Sequence, residues 1–188
     1  MKNSTYSILI GLLFCPLMLP LVANSQTLSS EDIKAQLIKE WQRAKNYTME
    51  YLNTMPADKY SFKPVDSIRS FAQQMLHLAQ GNIFLMSNAT DQKPASFPQS
   101  DLEHSPGAQQ KDSVVYYVTA SYDYCISAVK NLDVSKWGEK KKLFNNFEET
   151  RFALMLKTFE HQTHHRGQTT IYIRLQGIRP PQERLFEK

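Results

Sequence analysis

Apolar residues recur at intervals of three and four in four separate stretches of the chain, and no strand-like alternation persists beyond a few residues. The first stretch opens at SSED, where Ser29 or Ser30 can cap a helix and the acids fill its first turn. It then sets Ile33, Leu37, Trp41, Ala44, Thr48 and Tyr51 on one face and ends before Pro56. The second follows YSFKPVD, with Asp66 as its expected N-cap, and runs through SIRSFAQQMLHLAQGNIFLMSNA on an apolar arc of Phe71, Met75, Leu78, Asn82 and Met86. The third starts near Asp112 and carries Val114, Val118, Tyr122, Cys125, Val129 and Leu132 along one stripe. The fourth begins near NNFEE, where Asn145 with Glu148, or Asn146 with Glu149, has capping-box spacing. It continues to RLQG, where Gly177 can take a left-handed turn before Pro180 and Pro181 forbid continuation. The pattern predicts an all-α chain folded as a four-helix bundle. Residues 90–110, with three prolines and one glycine, read as a long surface loop in which His104 is solvated.

The first 25 residues do not belong to that pattern. Lys2 precedes an apolar run over residues 8–22, and Ala23-Asn24-Ser25 puts small residues where a signal peptidase reads. This predicts a signal peptide at 1–25 that is removed, a single domain at 26–188, and export to the periplasm or the extracellular space. Phe14 before Cys15 argues against lipidation. Pro16 and Pro20 break the run short of the roughly 20 residues a spanning helix needs, so no stable membrane insertion is expected once the leader is gone.

Charge and cysteine content narrow the function classes. Loss of Lys2 lowers the formal charge from +4 to +3, and no basic run interleaves with aromatics, so no nucleic-acid partner is predicted. Cys125 is the one cysteine beyond the leader, which excludes an internal disulfide; its place on the third apolar stripe reads as a small buried hydrophobe.

The chemistry concentrates in FEHQTHHRGQ, residues 159–168, which holds three of the five histidines. His161 and His165 are four apart, so on a helix they share a face, a geometry that suits a metal ion. Leu154, His161, His165, Gln168 and Tyr172 fall in one narrow arc, with Phe147 near its start, whereas His164 lies about 60° from His161. Gly167 costs an interior helix about 1 kcal/mol relative to Ala, which suggests that a backbone or a ligand comes close there. Two imidazoles alone make a weak site; a catalytic zinc usually takes three protein ligands and leaves a position open. The other histidine on an expected helix is His77, and by periodicity it points away from the apolar arc and reads as exposed. Gln162 follows His161, so the H-E-x-x-H zinc-protease pattern is absent; there is also no Cys-x-x-Cys-His haem motif and no nucleophile elbow.

Taken together, YSFKP, RSFAQQMLHLA and HQTHHRGQTTIYIRLQGIRPP, each on the expected helix and in order, resemble the DinB-like, or YfiT-like, superfamily of four-helix bundles over nearly the whole mature chain. The resemblance implies a divalent metal, zinc or nickel, held by one histidine of the second helix and two of the last, which here are His77, His161 and His165. It thereby overrides the periodicity reading of His77. Around those ligands it suggests weaker roles for Gln168 and Tyr172 as pocket or supporting residues, and a place beside the site for His164. Relatives include thiol-dependent S-transferases and isomerases, so a metal-dependent hydrolase or thiol transferase acting on an unknown small molecule is the leading expectation. Export weakens the thiol route, since a cytoplasmic thiol would be scarce outside. The alternative is a non-catalytic metal-binding or interaction protein in which the ion ties the second helix to the fourth. Relatives often pair through their helices, so a homodimer is also in view.

Overall fold

The computed structural model describes residues 27–95, 97 and 101–186; the expected leader at 1–25 lies outside them. Helix α1 spans Ser30–Thr54, α2 Phe71–Thr90, α3 Lys111–Asn131 and α4 Arg151–Leu175, and a two-stranded antiparallel hairpin, β1 Lys140–Leu143 and β2 Phe147–Thr150, precedes α4. Each helix packs on two others: α2 lies against α3 and, most extensively, α4, while α1 lies against α3 and also touches α4. The sequence neighbours α1 and α2, and likewise α3 and α4, therefore sit on the diagonals of the bundle. Among the described residues, no helix is long and apolar enough to cross a membrane.

The helix ends follow local hydrogen-bond chemistry. Ser29 caps α1 in a reciprocal capping box with Asp32. The N-cap of α2 is Ser70, not Asp66: Gln73 N–H donates to Ser70 Oγ at 3.2 Å, and Ser70 N–H donates to Gln73 Oε1 at 2.9 Å. The next donors, Phe71 and Ala72 N–H, are taken by the carbonyls of Phe62 and Tyr60, so the 60–70 segment folds back to satisfy the first turn. For α4 the expected caps at Asn145 or Asn146 are also wrong. Those residues lie at the hairpin turn, with Phe144 and Asn145 at φ 50° and 62°, and Thr150 is the cap. The hairpin escapes a periodicity reading because, of its strand residues, only Leu143 is buried. Phe147, expected near the start of α4, instead lies exposed on β2. At the other end Gly177 adopts φ 72°, as expected, and Ile178 N–H reaches back to Ile173 O.

The core is built on the expected stripes. Trp41, Phe71, Met75, Leu78, Met86, Val118, Tyr122, Cys125 and Leu154 are all buried, and burial raises the Cys125 thiol well above its ordinary pKa, which suits a packing role. A polar strand runs through this core. Tyr122 OH donates to Gln162 Oε1 at 2.6 Å and lies 2.7 Å from Thr48 Oγ1; Arg166 Nη1 donates to Gln162 at 3.1 Å, and its guanidinium stands 4.6 Å from the Tyr47 ring centroid. Burial lifts the Tyr122 hydroxyl to a pKa of about 12, so it stays a neutral donor.

Candidate metal centre

The ridge of α2 that faces α4 carries His77 and, one turn on, Gly81; the facing ridge of α4 carries His161 and His165 at the same spacing. A Cβ on Gly81 would overlap His161 Cε1 and stand 2.6 Å from its Nδ1, so the missing side chain leaves the space that the His161 ring fills. The close approach expected at Gly167 is therefore at Gly81 instead: a Cβ on Gly167 would meet nothing within 4 Å. Ring centroids lie 5.3 Å apart for His77 and His161, 4.5 Å for His77 and His165, and 4.4 Å for His161 and His165. One nitrogen from each of the three rings lies within 4.8 Å of the others.

His77, which periodicity reads as exposed, has a side chain only 28% accessible. The reason is that α2 buries more than its apolar arc: Gln74, one turn before His77, is as buried as the core. Burial, reinforced by the positive charge of neighbouring histidines and Arg69, lowers the pKa of His161 to about 4 and of His165 to about 3. Both are neutral imidazoles at physiological pH, the state in which a ring nitrogen can coordinate. His161 Nδ1 is buried with no hydrogen-bond partner, an omission that costs about 1–3 kcal/mol unless something satisfies it. Three ring nitrogens converging from two helices, with His161 Nδ1 buried and unpaired, fit a borderline divalent cation, and among the described residues no other cluster offers such a donor set.

Supporting groups surround the rings. His77 Nδ1 bonds the Glu103 carboxylate, whose other oxygen accepts from Arg69 Nε at 2.6 Å. The Gln74 amide lies 2.9 Å from His165 Nδ1 and also bonds Gln168, which in turn stands 2.8 Å from His164 Nε2. His164 is thus outside the triad and exposed, reaching it through these amides and through an edge-on ring contact with His165 at 5.0 Å between centroids. Tyr172 is buried against Phe62 and Phe71, and its hydroxyl donates to Arg69 O at 2.8 Å. A cavity of about 740 Å³ opens beside the cluster, lined by Lys63, Ile68, Arg69, Gln74, Gln168 and Tyr172 among others. His104 is exposed and bonded to Asp101, as its loop position implies.

Four contributors escape the sequence reading. Gly81 had a legible signal, since a glycine inside a strong helix pattern asks for a close neighbour. Gln74 is visible only as the residue one turn before His77. Arg69 precedes the helix, and Glu103 sits in a proline-rich connection where no periodicity marks a face. That connection is more than a surface loop, because Leu102 and Ala108 bury themselves and carry Glu103 to the histidines.

A helical bundle with a histidine triad between two helices defines the class of protein. The chain belongs to the DinB family, whose family model matches residues 24–186. Solved structures share the fold: a DinB-like protein from Bacillus cereus ATCC 10987 at 15% identity and TM-score 0.66, covering 79% of this chain and 96% of that one. A DinB-like protein from Bacillus subtilis aligns at 19% identity and TM-score 0.61, covering 80% and 99%, and a conserved protein from Enterococcus faecalis at 18% and 0.61, covering 76% and 96%. No curated protein matches the chain.

Proposed function

We propose that this chain binds one divalent metal ion, zinc or nickel, through His77, His161 and His165, and acts as a metal-dependent hydrolase or thiol S-transferase-like enzyme on a small molecule held in the adjoining cavity. The observation that carries the reading is the convergence of three ring nitrogens within 4.8 Å from two helices, two of those rings being kept neutral by burial. When bound, a divalent ion supplies Lewis acidity, which makes a coordinated water or thiol a better nucleophile at neutral pH. Three protein ligands leave room for such a group.

The chain's own residues do the rest. The Gln74 amide, 2.9 Å from His165 Nδ1 and bonded to Gln168, would hold the His165 ring in place beside a bound ion. Lys63 places positive charge along the cavity, Arg69 stands there paired with Glu103, and Ile68 and Ile171 give it apolar wall. A substrate with a polar head toward Gln74 and Glu103, the lining groups that contact the histidines, and an apolar body suits that lining.

Metal content by plasma mass spectrometry, on protein purified without an affinity tag, tests the reading. Near-stoichiometric metal that disappears in His77→Ala supports a site shared by α2 and α4; a natural protein that neither carries nor takes up zinc or nickel refutes it. A substrate screen with thiols, esters and amides then decides the reaction. The second reading, an ion that only ties helices together, draws on the fact that the ligands bridge the most extensively packed helix pair. It predicts a large rise in melting temperature with metal, no turnover, and no exchangeable solvent ligand. The leader assignment belongs to the same proposal and is checked by the intact mass of protein recovered outside the cytoplasm.

A further inference from the structure

Among the described residues Glu103 is the one carboxylate bonded to the histidine cluster, and it arrives there from the connection between α2 and α3. Its main chain is held on both sides: Glu103 N–H donates to Gln80 Oε1 at 3.3 Å, and Glu103 O accepts from Gln109 Nε2 at 2.6 Å. The neighbouring Leu102 is buried in the core. The side chain is 13% accessible, with one carboxylate oxygen on His77 Nδ1 and the other on Arg69 Nε. Arg69 is itself fixed through its carbonyl, which accepts from Tyr172 OH. These contacts place the charge on the outer side of the His77 ring, and Glu103 is not among the groups whose ligand atoms converge.

We infer that Glu103 is the positioning residue for His77, accepting a hydrogen bond from Nδ1–H and so holding the neutral tautomer whose Nε2 is free for the metal. This rests on the metal reading above for its purpose but not for its geometry. Two groups approach Nδ1, the Glu103 carboxylate and, at 3.2 Å, Arg69 Nη2. Arg69 can only donate and would favour a lone pair on Nδ1, but the anionic Glu103 oxygen is the nearer partner and would repel that lone pair, whereas a proton there makes a charge-assisted bond with it. Arg69 then serves the carboxylate: its Nε bond engages the second oxygen and keeps Glu103 from swinging inward as a fourth ligand. A carboxylate behind a coordinating histidine orients the ring and raises its basicity, and losing it typically weakens metal affinity about 10–100-fold.

The test uses the natural protein, Glu103→Ala and Glu103→Gln, each compared first without metal. Nitrogen-15 NMR of the imidazole side chains in mildly alkaline buffer reports which nitrogen of His77 carries the proton. The expected result is Nδ1–H in the natural protein and a shift toward Nε2–H, the form free histidine prefers, in Glu103→Ala. Zinc affinity by chelator competition should fall about 10–100-fold in Glu103→Ala and less in Glu103→Gln, whose amide oxygen still accepts from Nδ1–H. Unchanged tautomer in Glu103→Ala, or Nε2–H in the natural protein, overturns the inference even if zinc binds. If zinc does not bind the natural protein, the metal reading fails and the tautomer alone decides the role of Glu103. Should Glu103→Ala fail to fold, Glu103→Gln carries the affinity comparison and the natural protein's tautomer decides the inference.

Discussion

Helix α4 buries two polar pairs of identical spacing on adjacent faces, and they have opposite characters. Gln162 and Arg166 bond each other and point toward α1 and α3, where they meet Tyr122, Thr48 and the Tyr47 ring, while the Gln162 amide nitrogen donates to Thr163. His161 and His165 point toward α2 and leave His161 Nδ1 buried without a partner. A satisfied buried network contributes to the uniqueness of a fold, whereas converging ring nitrogens with one buried nitrogen unpaired suit an occupant from outside the chain. The comparison teaches that burial of polar side chains alone does not mark a site, and neither does one unpaired atom, since Trp41 Nε1, Asn82 Oδ1 and Trp137 Nε1 are also buried and unpaired; the convergence of ring nitrogens does.

The sharpest way to break this contrast is to remove one pair at a time. His161→Ala with His165→Ala should reduce metal content from near one per chain to background while the metal-free protein still folds, read by mass spectrometry and circular dichroism. Gly81→Ala should come next in effect on metal. Its new Cβ collides with the His161 ring, and the collision outweighs the helix-propensity gain of about 1 kcal/mol; zinc affinity should drop at least tenfold in a chelator titration. Arg166→Met works on the other face. It removes a buried charged hydrogen bond and a desolvated cation–π contact, so denaturant unfolding should show a loss of about 2–4 kcal/mol, with metal stoichiometry unchanged.

Acid separates the faces without mutation. The folded pKa values of His161 and His165, about 4 and about 3, lie below the ordinary 6.5, so between those limits the unfolded chain binds more protons than the folded one. Stability from keeping these rings neutral is fully present above pH 6.5 and is lost as pH falls toward 4 and then 3. The melting temperature of the metal-free protein should decline through that window, and His161→Ala with His165→Ala should flatten the decline. A profile equally steep in the double variant would mean that other groups control acid unfolding.

The same contrast explains what the sequence makes legible. Each helix hides one apolar stripe, so spacings of three and four reveal all four helices and most of the core. Ends are harder: Asp66 and Ser70 are both good caps, and only the tertiary bonds from Phe71 and Ala72 to the 60–62 carbonyls select Ser70. The β1–β2 hairpin is invisible because a surface ribbon that buries little beyond Leu143 has no alternation to show. In the site, His161 and His165 can be read from spacing, whereas His77 needs the family resemblance, since apolar periodicity cannot register a polar side chain buried against other polar ones. Glu103 depends on the path of a loop, which local patterns do not encode. The Gln162–Arg166 pair is hidden for a related reason: on a wheel it resembles a solvated face.

The smallest effect comes from the other glycine of the pair, and it sharpens the contrast most cleanly. Gly167 lies in the same helix as His161 and His165, within two residues of the latter, yet a Cβ there meets nothing within 4 Å. Gly167→Ala therefore adds helix propensity without a collision and should raise unfolding free energy by up to about 1 kcal/mol, with zinc affinity unchanged within twofold. Measured beside Gly81→Ala, the same chemical change on facing helices should have opposite signs. If Gly167→Ala weakened zinc binding as much as Gly81→Ala, general stiffening of the bundle would explain both results. Space for the His161 ring would then no longer be the reason that α2 carries a glycine one turn after His77.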